Sequence, residues 1–251
     1  MDLTDNQKKA LSNATKKAKL HQKNMSFYVR KKFIENHLDI SYIDKIIKYF
    51  NNKIKISTRI RYSTHIFDSF IKDPKIKNKY ELFNLDAETS DNYRYSIENQ
   101  LFNNAYESCS PNERVKYGSF NITNKLGGDA NTIMYSEINM IYKNHIKKRC
   151  TFTYADSFNG QSYICTFTYF EHLLYHMNLT DIKLLIKIID DPFNINVNDK
   201  LKQYIELQIH GDINLNNDIE IMEIPKHIYD ANKIVIDKLI KCVPNIIIDI
   251  Y

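Results

Sequence analysis

The sequence predicts an α+β fold, in which helices and strands follow one another in uneven order. Apolar residues recur at three- and four-residue steps near both ends of the chain, which is typical of helices that bury one face. Segments of strict apolar–polar alternation lie between them and indicate half-buried strands. The 251 residues are 43% hydrophobic, with 18 Tyr and 13 Phe, so a large core can form. Because the order of elements is irregular, we expect mostly antiparallel strands.

Residues 1–52 are predicted to form a helical extension that packs on a second unit, residues 53–251. Leu11, Ala14 and Ala18 begin the helical spacing, and a further apolar set continues it to Asn51-Asn52. That set is Ile34, Leu38, Ile43, Ile46, Ile47 and Phe50. Residues 6–24 are rich in lysine and have few apolar anchors, so we expect a solvated helix there, with a membrane or nucleic-acid patch as the alternative. We expect no membrane or nucleic-acid partner for the protein.

A strand with a period of two starts after Lys53, where Ile54, Ile56, Thr58 and Ile60 alternate with polar residues. Helical spacing returns from Tyr93 to Glu107, and the remaining elements follow in order. We predict strands near 115–122, 132–142, 150–156 and 203–210, helices near 166–177 and 180–190, a strand over 218–224, a helix over 228–240 and a last strand over 245–251.

Composition narrows the classes of function. The formal charge of +5, from 35 basic and 30 acidic residues, is too small to indicate a nucleic-acid protein by itself. The four cysteines form no C-x-x-C pair, which favours free thiols in a reducing compartment and predicts no metal site. No run of about 18 apolar residues and no signal-peptide core is present, so we expect a cytoplasmic-type protein. We also expect a monomer.

Three short clusters are candidates for chemistry. In the first, Arg114 and Lys116 point to one side of a predicted strand, Val115 and Tyr117 point to the other, and Gly118 lets a planar ligand or another backbone approach. An ordinary strand that enters from a turn explains the same residues. In the second cluster, Thr151 to Ser157, hydroxyls including that of Thr153 share one strand face, as cross-strand pairs also do.

The third cluster is the best candidate for an active site. Tyr204, Glu206, Gln208 and His210 share one face of a strand, and the isoleucines and leucine between them share the other face. Hydrogen-bonding and titratable groups in one row are typical of a catalytic site, although a solvated outer sheet face would have the same pattern.

Two other features favour structure over chemistry. Gly127-Gly128-Asp129 lacks the spacing of a phosphate loop and predicts a turn. His172 and His176 lie four residues apart on a predicted helix, but without a third ligand in the sequence, aromatic packing is the better interpretation.

The three clusters resemble, in the same order, a divergent ADP-ribosyltransferase-like family of bacterial domains of unknown function. The family's second stretch is similar to threonine-phenylalanine-threonine-tyrosine-glycine-aspartate-serine, and here it stands as Thr151 to Ser157. Its first and third stretches correspond to Arg114–Phe120 and Ile205–Gly211, so the resemblance spans about residues 53–251. One member of this kind, an effector of an intracellular bacterium, modifies an arginine of a host NAD-dependent glutamate dehydrogenase.

The resemblance implies split, bent antiparallel sheets with NAD in the cleft between them. It implies transfer of ADP-ribose from NAD to a protein side chain, with arginine as the expected acceptor, by an effector secreted into a host cytosol without a cleavable signal. The acceptor would be a host protein such as a metabolic enzyme. The implied catalytic residues are Glu206, Gln208 and His210, with His210 near the rim, and the implied NAD-binding residues are Arg114, Tyr117, Gly118, Thr153 and Ser157.

One segment departs from the family's pattern. The family has an arginine and glycines where this chain has Ile76 to Asn84, so Lys77 or Lys79 would have to hold NAD, or activity is lost. The basic anchor is open between Arg61, Arg94 and Arg114. A catalytically inactive binding module is therefore an alternative function, and a metal-dependent nuclease that uses Glu206, His210 and Asp212 is another.

Overall fold

The computed structural model describes residues 2–83, 92–159, 163–196 and 199–251. Helices enclose a central sheet from several sides. In chain order they are α1 Asp5–Glu35, α2 Ser41–Asn52, α3 Thr64–Lys72, α4 Lys79–Phe83, α5 Asn92–Phe102, α6 Leu173–His176, α7 Leu179–Asp190, α8 Leu215–Asp218 and α9 Lys226–Cys242. Single 3₁₀ turns occur at Pro111–Glu113, Ala130–Thr132, Asn144–Arg149 and Ser157–Asn159.

Ten strands form two sheets in the described residues. They are β1 Lys55–Ile60, β2 Lys75–Ile76, β3 Lys116–Asn121, β4 Ile138–Tyr142, β5 Cys150–Tyr154, β6 Cys165–Thr166, β7 Ile205–Ile209, β8 Ile213–Asn214, β9 Ile219–Ile224 and β10 Ile247–Ile250. The large sheet has the order β10-β9-β4-β1-β3-β7-β5-β6, and β2 pairs with β8 in a small one. The α+β prediction is confirmed.

Antiparallel pairing dominates the large sheet, as predicted. Among the described strands, β9 and β10 alone run parallel. The register aligns Thr153 of β5, Glu206 of β7, Ser119 of β3 and Ser57 of β1 in one row across four strands. A row of polar side chains therefore crosses the middle of the sheet.

The two faces of the sheet bury different residues. One face is apolar and includes Ile205, Leu207 and Ile209 of β7, which join a core with α2, α3, α7 and α9. The polar face is also buried around β7, because Phe102 of α5 and Tyr106 of the following loop cover its end. The solvated-face alternative for the third cluster is therefore wrong.

Helix α1 starts at a capping box in which the Thr4 hydroxyl accepts from the Gln7 backbone amide and the Gln7 side chain accepts from the Thr4 amide. Its small residues Ala10 and Ala14 pack against α5 in a second apolar cluster, and Val29 and Phe33 enter the main core. The predicted N-terminal helices thus pack against the rest of the protein, with α1 touching β5 and β6.

Three predicted elements are shorter than expected. Helix α5 ends at Phe102 because Asn103 and Asn104 take positive φ angles of 54° and 57°, a conformation that asparagine tolerates at helix ends. Residues 132–137 form turns before β4, and residues 167–172 precede the single helical turn α6. Asn84, the last residue of the segment that departs from the family's pattern, lies outside the described residues.

Candidate functional site

A cavity of about 270 Å³ opens on the polar side of the sheet beside Glu206. Strands β1, β3 and β7 form one wall, and the segments that follow β5 and precede β4 form the others. The lining residues are Thr58, Arg59, Arg94, Tyr117, Gly118, Ser119, Thr132, Tyr135, Asp156, Phe158, Tyr204 and Glu206. Two residues predicted to bind NAD and the predicted catalytic glutamate are therefore brought together.

A larger cavity of about 790 Å³ continues from the first. The two share Thr58, Arg59, Arg94 and Tyr117, so they form one cleft over β1 and β3. Among the described residues, lysines and arginines outnumber carboxylates in the lining of the larger cavity, where Glu81 supplies the one carboxylate. The basic lining residues are Arg59, Arg61, Lys75, Lys77, Lys79, Arg94 and Lys116. Lys75, Lys77 and Lys116 also form ion pairs with nearby carboxylates. Three residues proposed to anchor NAD, Arg61, Lys77 and Lys79, line the larger cavity. Arg94, a fourth candidate, lines both cavities.

Glu206 is 5% exposed and contributes a carboxylate to the wall of the smaller cavity. Burial raises its pKa from 4.5 to about 7, and the neighbouring carboxylate of Asp156 adds to the rise. The Gln208 amide, which donates to the carboxylate, and the neighbouring Ser157 hydroxyl oppose the rise by favouring the charged form. Glu206 thus gains or loses a proton near neutral pH, which is typical of a functional carboxylate.

Gln208 lies behind Glu206 and not in the cavity. Its Nε2 donates to Glu206 Oε1 at 2.7 Å, and its Oε1 accepts from the Thr151 hydroxyl at 3.0 Å. Thr153, the predicted NAD contact, is also buried, and its hydroxyl donates to the Ala155 carbonyl. Both side chains position the carboxylate and its strand neighbours, and neither lines the cavity.

The chain bends sharply after β5. Ala155 has a φ of 68°, in the left-handed region that favours glycine, and the resembling family has glycine at this place. The bend brings Asp156 to the cavity and buries Ser157 beside Glu206. Strained backbone of this kind concentrates at functional sites.

Tyr117 and Gly118, two of the residues predicted to bind NAD, both line the cavity. The Tyr117 ring lies under the Arg94 guanidinium, 4.8 Å from its carbon, and the Tyr117 hydroxyl donates to Glu98 at 3.1 Å. A Cβ atom at position 118 would lie 2.5 Å from the Ser57 carbonyl oxygen. The glycine is therefore required by the close approach of β1, and a ligand is not needed to explain it.

Arg114, one of the three arginines proposed as the basic anchor for NAD, does not line either cavity. The side chain is 1% exposed and forms an ion pair with Glu98 at 2.6 Å. It also donates to the Tyr106 carbonyl at 2.8 Å and lies over the ring of Tyr95. The partners of the guanidinium therefore lie inside the protein, beneath α5, where the ion pair offsets the cost of burying its charge.

His210 is not at the rim either. The imidazole is fully buried, with Nδ1 at 2.7 Å from the Tyr106 hydroxyl and Nε2 at 3.3 Å from the Thr151 hydroxyl. Burial and the charge of Arg149 lower its pKa to about 3, so the ring is neutral at pH 7. Its position fits a structural part of the polar face.

Several cavity residues were missed by the sequence analysis. Arg59 donates to the carbonyls of Gly127, Asp129 and Ser136, and so holds the loop before β4 against β1. That loop carries Tyr135, whose hydroxyl lies 3.3 Å from that of Tyr204. The alternation of β1 contained Arg59, but nothing in the sequence showed that the loop would fold over it.

The described residues form neither a metal centre nor a membrane span. They contain no group of three His, Cys, Asp or Glu side chains arranged to hold a metal ion. Within the same ranges, no helix is long and apolar enough to cross a bilayer.

The sequence also matches a known family. A family model described as "Protein of unknown function (DUF3626)" matches residues 57–182, half of the chain. The chain belongs to this family. No curated protein matches the sequence of this chain.

The DUF3626 match covers part of the candidate site. It extends from β1 into α7 and includes Tyr117, Gly118 and Asp156, whereas Glu206 lies beyond it. The expected membership in a family of unknown function is confirmed, and the DUF3626 description itself names no activity.

We predict that Arg114→Met lowers the free energy of unfolding by about 3–5 kcal/mol, because Glu98 would stay buried without its partner. The double variant Glu98→Gln/Arg114→Met should recover part of this loss, since the amide oxygen introduced in place of the Glu98 carboxylate can still accept from Tyr117. Urea denaturation measures both. A single variant with wild-type stability but weaker NAD binding would restore Arg114 as an anchor.

We predict that Glu206→Gln becomes progressively more stable than the wild type as pH rises. The pKa of Glu206 is about 7 in the folded protein and about 4.5 in the unfolded chain. The unfolded chain therefore loses its proton first as the pH rises. Between these two pH values the free energy of unfolding of the wild type falls by up to about 3 kcal/mol. The variant does not titrate there. Melting temperatures measured from pH 4 to pH 8 test this, with the exposed Glu220→Gln as control. Parallel curves for wild type and Glu206→Gln would contradict it.

Proposed function

We propose that this protein transfers ADP-ribose from NAD to an arginine side chain of another protein. The observation that carries the proposal is the buried Glu206 carboxylate in the wall of a cavity that opens into a larger, basic one. The resemblance of the three clusters to ADP-ribosyltransferase-like domains points to the same reaction.

The chemistry needs a carboxylate in such a place. When the bond between ribose and nicotinamide breaks, the bonding electrons leave with nicotinamide and the ribose becomes cationic. A preorganised carboxylate next to that ribose stabilises charge that develops only in the transition state. Glu206 is held in place by Gln208 from its own strand, so little reorganisation is needed.

The two cavities suit the two ends of NAD. We assign the nicotinamide and its ribose to the smaller cavity, which Tyr117 and Glu206 both line. We assign the pyrophosphate to the larger cavity, which Arg61 and Arg94 line together with Lys77, whose ammonium also pairs with Asp73. A cleft of this size is in the range that encloses small ligands, about 300–1,000 Å³.

Asp156 supports arginine as the acceptor. It lines the same cavity as Glu206, Tyr204 and Phe158, and its Oδ1 accepts from the Phe158 backbone amide at 2.9 Å. A second carboxylate among aromatic rings is a suitable receptor for a guanidinium group. In the transfer, an arginine nitrogen bonds to the ribose carbon and gives up one proton, which Asp156 would accept.

We predict that Glu206→Gln lowers the rate of NAD cleavage by about 10²–10³-fold while NAD affinity changes far less, because the lost charge acts on the transition state. In the wild type, the rate should rise with pH through about 7, as Glu206 loses its proton. Labelled NAD, a eukaryotic lysate and single-turnover kinetics measure the rate, and calorimetry measures the affinity.

Two outcomes would contradict the proposal. If NAD does not raise the melting temperature of the wild type and no labelled product forms, the protein is an inactive binding module. If the wild type is active and Glu206→Gln cleaves NAD equally fast, Glu206 is not part of the mechanism. Glu220→Gln, on the exposed face of β9, is the matched control and should keep the wild-type rate.

We predict that Asp156→Asn separates the two halves of the reaction. The asparagine keeps the acceptor for the Phe158 amide but cannot hold or deprotonate a guanidinium. Transfer to agmatine, a small guanidine compound, should fall by about tenfold or more, whereas hydrolysis of NAD by water should change less. Equal losses of transfer and hydrolysis would remove Asp156 from acceptor binding.

A further inference from the structure

The outward face of α1 carries two parallel rows of side chains. The basic row is Lys9, Lys16, Lys23 and Arg30, and the apolar row is Leu20, Phe27 and Ile34. Members of each row are seven residues apart, or about two helical turns, so each row runs along the helix axis. Every apolar residue follows a basic one by four positions, which makes the two rows neighbours.

The apolar row is open to solvent. Leu20 is 56% exposed, Phe27 is 70% exposed and Ile34 is 64% exposed, although α1 already buries a full apolar stripe on its inner side. That inner stripe consists of Ala10, Ala14, Ala18, Val29 and Phe33. The core therefore does not account for the outer row. Aligned large apolar side chains on an outer face are typical of a contact surface.

Positive charge is concentrated on the same helix. Helix α1 holds nine of the 35 basic residues of the protein and two of its 30 acidic ones, so the remainder of the chain is slightly acidic. The ion pairs within α1 are Lys8 with Asp5 and Lys31 with Glu35, and neither includes a member of the basic row. All four residues of that row are exposed.

We propose that this face of α1 docks on the surface of an anionic lipid bilayer. Lysine and arginine would lie at the level of the lipid phosphates, and the three apolar side chains would enter the boundary between headgroups and acyl chains. The phosphates of a nucleic acid could pair with the basic row, but they would not bury Leu20, Phe27 and Ile34. A straight face about 38 Å long, from Lys9 to Ile34, fits a flat surface.

The test is co-sedimentation of the full chain with vesicles of phosphatidylcholine and phosphatidylserine, compared with phosphatidylcholine alone. One variant replaces the basic row with glutamine, K9Q/K16Q/K23Q/R30Q, and another replaces the apolar row, L20Q/F27Q/I34Q. The matched control replaces four exposed lysines of α9, K226Q/K233Q/K238Q/K241Q. The substituted side chains are exposed, so circular dichroism and melting temperature should not change, and Phe27→Gln alone gives a milder second test.

We expect binding to the anionic vesicles only, weakened by added salt and reduced by about tenfold or more in each row variant, with the α9 control unchanged. Absence of wild-type binding would overturn the proposal. An equal loss of vesicle binding in the α9 control would also overturn it, because net charge alone would then explain the attraction. Unaltered binding by the apolar-row variant would overturn it as well. Binding of RNA through the basic row without vesicle binding would assign the face to nucleic acid instead.

Discussion

The buried polar face of β7 is the constraint on which the site depends. Hydrogen bonds run from the Thr151 hydroxyl to Gln208 and from Gln208 to Glu206, so polar groups shielded from water are still satisfied. The network ends at a carboxylate that faces a cavity. A solvated sheet face would leave that carboxylate with an ordinary pKa, whereas burial brings it near neutrality.

Buried charge serves two different purposes in this protein. Arg114 and Glu98 neutralise each other inside the fold, and the Glu98 carboxylate also accepts from the Tyr117 hydroxyl. The structural ion pair therefore helps to fix a ring that lines the cavity. Within the described part of the chain, Glu206 has no comparable cation among its hydrogen-bond partners, and the donor that it does have is the neutral amide of Gln208. That difference separates a structural carboxylate from a candidate catalytic one.

Helix α1 connects the fold to its surroundings. Its inner face joins two apolar clusters, and the Gln7 amide donates to the Glu113 carbonyl just before Arg114. Its outer face is basic with exposed apolar residues. The inner face of this 31-residue helix therefore supports the segment that leads into β3. Its outer face remains available for contacts with another surface.

Periodicity and local polarity predicted the fold class and the main strands and helices, because both depend on neighbours along the chain. They also indicated Glu206, Tyr117 and Gly118 as candidate site residues. The sequence could not determine which polar residues face the same cavity. Arg114 and His210 look like Tyr117 and Glu206 in the sequence, yet α5 and its loop bury the first two. Only the tertiary structure showed that Arg59 and Asp156 line the cavity and that the outer rows of α1 are exposed. The reason is that segments distant in sequence decide which residues are buried.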